Sequence, residues 1–156
     1  MTSKPKPIPD GFHGATPYLC CRDAGKAIEF YKRAFGATEV IRLAEPGGRI
    51  GHAEIKIGDA VIMISDEYPD VGATSPQALG GSAVTIHLYV PDVDAQVRRA
   101  VAVGATVQRP PEDQFYGDRS GTLTDPYGHR WMLATRIEDV SAEEMQQRYD
   151  ALMKQQ

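Results

Sequence analysis

Apolar and polar residues along this chain follow two periods that keep exchanging places. Thr16 to Cys21 reads as a strand, and Asp23 then stands where a helix N-cap belongs. Ala27, Ile28, Phe30, Tyr31, Ala34 and Phe35 fall on one helical stripe, closed by Gly36 at a position suited to the left-handed C′ conformation. The pattern returns to period two at Thr38 to Leu43, Ile50 to Ile57 and Ala60 to Ser65, punctuated by turns at Glu45-Pro-Gly-Gly48 and Gly58-Asp59. The order is β-α-β-β-β.

The same order then comes round again. A strand at Val84 to Val90 precedes a helix carrying Val93, Val97, Ala100 and Val101, and strands follow near Thr106 to Arg109, Gly117 to Thr124 and His129 to Thr135. Thr16 and Thr85, Asp23 and Asp92, and Met63 and Met132 are each separated by 69 positions. Two copies of one unit predict an α+β fold of paired βαβββ modules with an appended C-terminal helix. The expected layout is an extended tail over residues 1–11 and one domain over 12–135, made of a first module (12–66), a linker (67–82) and a second module (83–135). Residues 136–156 form the appended helix, where Ser141-Ala-Glu-Glu144 reads as a capping box and Met145, Tyr149 and Leu152 share a face.

Strand parity sorts the side chains. Val84, Ile86, Leu88 and Val90 belong on the helix side of their sheet, which leaves Thr85, His87 and Tyr89 on the other. By the same alternation Ala53, Ile55 and Ile57 lie under the first helix, and His52, Glu54 and Lys56 face away from it. Tyr18, Cys20, Met63 and Met132 join that second face. A surface lined by Tyr18, Met63, Thr85, Tyr89 and Met132, with His52, Glu54 and His87 as polar anchors, suits an organic ligand with polar edges. The segment Phe115-Tyr116-Gly117-Asp118-Arg119 adds two aromatics and a planar guanidinium, and is read either as a lip that contacts ligand through Phe115, Tyr116 and Arg119 or as a structural pairing network. Trp131, beside Leu133, reads as core, and His129 as part of its turn.

Charge and composition narrow the partners. A formal charge of -4 over 156 residues offers no basic field for nucleic acid or anionic lipid. No apolar run approaches the roughly 18 residues of a membrane span, and the N-terminal stretch has no apolar signal region, so a cytoplasmic protein is expected. Cys20 and Cys21 are adjacent, point to opposite faces of a strand and are expected as thiols.

The paired modules, the helix ending in Phe30-Tyr31-Lys32-Arg33-Ala34-Phe35-Gly36 and the late turn Asp125-Pro-Tyr-Gly-His129 resemble the vicinal oxygen chelate superfamily of glyoxalases, bleomycin resistance proteins and dioxygenases. Glu112 to Gly121, followed by Asp125 to Trp131, is similar to its PhnB-like members. The resemblance implies a ligand groove between the modules and, in metal-using members, His, Glu or Gln ligands on the first and fourth strands of each module. The corresponding positions here are Thr16, Met63, Thr85 and Met132, none of them a usual ligand of a hard divalent ion. No cofactor and no metal at that place are therefore expected.

Two readings follow. In the first, the chain is a metal-independent binding protein of the glyoxalase and bleomycin resistance type that sequesters an organic metabolite or antibiotic, working as a homodimer. In the alternative it is a lyase, isomerase or dioxygenase relative, with a displaced metal or with His87, Glu54 and His52 as acid-base candidates. Signatures of zinc deaminases, serine hydrolases, zincins and nucleotide-binding loops are incomplete or missing.

Overall fold

The structure is a computed structural model that describes residues 3–156. The first two residues of the expected tail lie outside it, and residues 3–17 contribute no strand or helix. The chain divides into two compact units, the first ending at Gly81 and the second running from Ser82 to Gln156.

The first unit is a four-stranded sheet ordered β1-β4-β3-β2, built from β1 (Tyr18–Cys21), β2 (Thr38–Ala44), β3 (Ile50–Ile57) and β4 (Ala60–Asp66). Helix α1 (Ala24–Phe35) packs on β1, β3 and β4. Its Ala24, Ala27, Ile28 and Tyr31 meet Ala53, Ile55 and Ile64, and each of these is fully buried. Each Ile or Leu removed from water in this way stabilises the unit by about 1.5–3 kcal/mol before entropy is counted. The helix ends where Gly36 turns left-handed at φ 69°, with its N–H on the Lys32 carbonyl.

The second unit repeats this plan as a sheet ordered β5-β8-β7-β6, from β5 (Thr85–Tyr89), β6 (Thr106–Asp113), β7 (Asp118–Thr124) and β8 (Arg130–Arg136). Helix α3 (Val93–Ala102) packs on β6, β7 and β8, and Val93, Val97 and Ala100 bury against a layer holding Leu123, Trp131 and Leu133. Trp131 donates its ring N–H to Asp125 at 2.9 Å, so its polar handle is satisfied inside the core. Asp125 also accepts the backbone N–H groups of Tyr127 and His129. The Asp-Pro-Tyr-Gly-His turn is thus held by Asp125, with His129 buried as part of it.

One device recurs in both units. The first backbone N–H of each helix has no partner within the helix and is met by a side chain from the end of the fourth strand. Asp66 accepts from Ala24 at 2.8 Å in one unit, and Thr135 accepts from Val93 at 2.9 Å in the other. Asp23 and Asp92 supply the N-caps, accepting from Lys26 and Ala95. Asp66 also accepts the Ile50 N–H at 2.6 Å, which ties the start of β3 to the same anchor.

Local departures from the sequence expectations have physical causes. Strand β1 begins at Tyr18, two residues later than read, because Pro17 cannot donate to a ladder. Strand β6 runs on to Asp113 through Pro110 and Pro111, which an edge strand tolerates, and its register slips between Arg109 and Glu112. The stretch read as a linker contains helix α2 (Pro76–Leu79), whose Ser75 cap is buried and hydrogen-bonded to Glu67. Helix α4 (Ala142–Met153) starts as expected at Ser141, but Glu144 pairs with Arg148 instead of completing the capping box. Gly117, at φ 94°, has the Glu138 carbonyl where a Cβ would stand, and its own carbonyl accepts from Ile137 and Glu138.

Two measurements test these anchors. Asp66→Ala leaves the Ala24 and Ile50 N–H groups short of a partner and is expected to lower stability by about 1–3 kcal/mol in urea unfolding, with Thr135→Val costing about half as much. Glu39 is gripped by Arg42 and Lys32, and hydrogen bonding from Arg42 chiefly holds its carboxyl below the ordinary 4.5. A depressed folded value means that its contribution is present above that ordinary value and fades as pH falls through the lower one. Glu39→Gln is therefore expected to flatten the loss of thermal stability below about pH 4.5, and identical slopes in both proteins would refute the assignment.

Candidate functional site

Helix packing claims one face of each sheet and leaves the other open, where the candidate residues gather as parity predicted. In the first unit the register sets Ile41, Glu54, Met63 and Tyr18 side by side across all four strands. Tyr18 is half exposed, and Met63 and Glu54 are partly buried. The Tyr18 hydroxyl lies 2.7 Å from His52 Nδ1, and His52 Nε2 lies 3.1 Å from Glu54 Oε1. Tyr18, His52 and Glu54 therefore form a continuous hydrogen-bonded chain. The carboxylate can only accept, which places a hydrogen on Nε2, so in the neutral imidazole Nδ1 accepts the phenol proton. Burial, then the neighbouring Cys20 and Glu54, hold the Tyr18 phenol above its usual range, and it stays protonated near neutrality.

The second unit carries a different set in matching places. His87 sits beside Met132, whose neighbour on the far side is Thr122, and Tyr89 beside Ala134, whose far neighbour is Ser120. The His87 and Tyr89 rings are tilted, with centroids 4.7 Å apart. Tyr89 donates its hydroxyl to the buried carboxylate of Asp118 at 2.7 Å. Arg136 approaches the other Asp118 oxygen at 3.5 Å, and the Tyr89 oxygen first and Asp118 next raise its guanidinium above the ordinary range. Thr85 lies on the same face, opposite Arg130, and is exposed.

The aromatic loop is divided between two tasks. The Arg119 side chain reaches Asp94 on α3 through Nε and Nη2, at 2.8 and 3.0 Å, and Asp113 on β6 through Nη1 at 2.9 Å. This fork holds the Asp94 carboxyl below its usual range. Arg119 thus joins β6, β7 and α3, the pairing-network alternative, though with Asp94 and Asp113 in place of the neighbouring Asp118. Phe115 packs edge-on against Tyr116 and at a tilt against Tyr149 of α4, and its carbonyl accepts from Arg148. The Tyr116 hydroxyl lies 3.5 Å from Ser120 on the open face.

Two groups that matter here were not singled out by sequence. Asp118 appeared only as a loop acid, yet it is the acceptor that orients Tyr89; its signal is the position opposite Arg136 at the start of β7. Ser120 and Thr122, small, polar and buried, line the open face between the larger side chains of β8 and β6. The strand expected over Gly117 to Thr124 already held all three, and parity counted back from Leu123 reaches them.

These donors are poorly matched to a divalent metal ion. The register pairs Met63 with Tyr18 and Met132 with His87, whereas Thr16 precedes β1 and Thr85 faces Arg130. A thioether beside a protonated phenol in one unit, and a thioether beside one imidazole in the other, do not fit a hard divalent cation. Within the first unit both nitrogens of His52 are already engaged. Among the described residues no cluster of three or more His, Cys, Asp or Glu side chains is placed to hold a metal. Cys20 is half-buried, its thiol pushed up first by burial and then by Glu67 and Asp66, and Cys21 is fully buried. No helix among the described residues is long and apolar enough to cross a membrane.

Known proteins share this plan. The Mycobacterium tuberculosis protein Rv0887c is 42% identical over 134 residues, covering 84% of this chain and 79% of its own length. The Arabidopsis thaliana At5g48480 product is similar in structure, with a TM-score of 0.64 at 28% identity over 79% of this chain and 98% of that one. TioX from Micromonospora gives 0.62 at 25% identity, covering 83% of this chain and all of its own. The Listeria monocytogenes fosfomycin resistance protein FosX, crystallised with Mn(II) and sulfate, shares the fold at a TM-score of 0.62 and 21% identity over 88% and 97% of the two chains. The model of the Glyoxalase/Bleomycin resistance protein/Dioxygenase superfamily matches residues 13–133, and the chain belongs to that superfamily.

Proposed function

We propose that this protein binds and sequesters a small organic molecule without a metal, as a PhnB-like branch of its superfamily acting in the cytoplasm. The observation that carries the reading is the composition of the open sheet faces. Tyr18, Met63 and Ile41 in one unit, and His87, Tyr89 and Met132 in the other, give aromatic and thioether surface with a few oriented polar groups. The positions that the resemblance assigns to metal ligands hold Thr16, Met63, Thr85 and Met132, two hydroxyls and two thioethers. A fold neighbour that is a fosfomycin resistance protein, crystallised with Mn(II), makes an antibiotic a candidate ligand as an analogy of fold and lends nothing to metal independence.

The alternative, a lyase, isomerase or dioxygenase using acid-base groups, draws on the Tyr18–His52–Glu54 chain, which is able to relay a proton. Elemental analysis of purified, untagged protein, with mass spectrometry of small molecules released on denaturation, separates the readings. The expected result is well under one metal per chain, an organic compound held by the native protein, and no rise in Tm with added Mn²⁺ or Zn²⁺. Stoichiometric metal lost in His52→Ala or His87→Ala would instead establish a displaced metal centre.

A homodimer is part of the proposal. Strand β2 leaves Val40, Ile41 and Leu43 exposed, and α4 leaves Tyr149, Leu152 and Met153 exposed, more apolar surface than a chain acting alone gains from. Light scattering at micromolar concentration is expected to give twice the 17.1 kDa chain mass, with an interface near the common 1,600 Å². A monomeric mass would remove the dimer from the proposal.

A further inference from the structure

The hydrogen-bonded chain on the first unit's open face has a direction, and the direction constrains what can bind there. Glu54 accepts from His52 Nε2, so the neutral imidazole offers only a lone pair at Nδ1, and the Tyr18 proton is spent on it. The phenol then has no hydrogen left for a ligand. All that the oxygen of the half-exposed Tyr18 can then offer is its lone pairs, and Glu54 likewise has only acceptor oxygens. Met63 lies beside Tyr18 and Glu54 in the register, and a thioether next to an aromatic ring accommodates a flat apolar body. From the hydrogen-bond polarity of Tyr18–His52–Glu54 and its placement beside Met63, we infer that the ligand is an aromatic compound carrying an O–H or N–H donor, which it gives to the Tyr18 oxygen.

The inference rests on the binding reading above and names the ligand class for the same face. It also predicts discrimination against the O-methylated or N-alkylated counterpart, which fills the apolar space equally but has no proton to give. A pocket polar group left without its partner is the feature that lets a site reject an otherwise similar molecule.

Phenol and anisole are a suitable pair of probes. Each is titrated into protein carrying [¹³C]methyl-methionine, with the Met63 resonance assigned through Met63→Leu. Phenol is expected to bind at the Met63 methyl about three- to tenfold more tightly than anisole, the change one net hydrogen bond produces. Anisole is the more apolar probe, so non-specific burial works against this result. In Tyr18→Phe, whose fold is checked by circular dichroism, the ratio is expected to fall to about one. Equal affinities in the unsubstituted protein, or a preference for phenol that survives Tyr18→Phe, would overturn the donor assignment while leaving the face as a binding site. If neither probe moves Met63 at millimolar concentration while both shift other methionines, the binding reading of this face falls, and the ligand class with it.

Discussion

The structure depends on each helix being pinned to one side of its sheet. A four-stranded sheet has two equivalent faces until something covers one, and here the covering is fixed at a single backbone group, the first helical N–H. Asp66 reaches it from the end of β4 and Thr135 from the end of β8. Once that N–H is held, α1 lies over Ala53, Ile55 and Ile64, and α3 over Leu123, Trp131 and Leu133. Every residue of opposite parity is then committed to the open face, so an anchor remote from that face holds in place the division that apolar parity selects.

The two units show what this plan demands and what it leaves free. Positions that meet a backbone demand recur in kind, an aspartate at each N-cap and an acceptor at each strand end, because any side chain unable to accept would strand a polar group. Positions on the open face have diverged. Tyr18 corresponds to His87 and Cys20 to Tyr89, while the two methionines stay. Each unit orients one tyrosine by an acidic system, through His52 to Glu54 in the first and directly on Asp118 in the second. The solutions differ in burial: Asp118 is enclosed and backed by Arg136, whereas His52 and Glu54 stay partly open.

Charge is used in the same divided way. Arg119 and Arg148 each hold two or more fixed partners and link separate elements, β7 to β6 and α3 in one case and α4 to the Phe115 loop in the other, while Lys32 joins α1 to Glu39 on β2. A guanidinium serves this purpose because its planar fork satisfies several acceptors at once. These pairs remain partly open to solvent, so they register elements more than they stabilise them.

Much of this was legible in the chain itself. Period two and period 3.6 are local properties, so the element order, the repeat, the N-caps at Asp23 and Asp92 and the sides on which His52, Glu54, His87 and Tyr89 fall could be read directly. Trp131 and His129 were likewise assigned to core and turn by their neighbours. Partnership is not local. That Tyr18 meets His52 across 34 positions depends on β4 lying between β1 and β3, a strand order no periodicity encodes. The same holds for Arg119, whose sequence neighbour Asp118 points to the open face while Asp94 and Asp113 arrive from α3 and β6. The sequence by itself determined which face each side chain occupies, because parity is set by the backbone. Only the tertiary structure decided which side chains touch, because strand order and register bring together residues that the chain keeps apart.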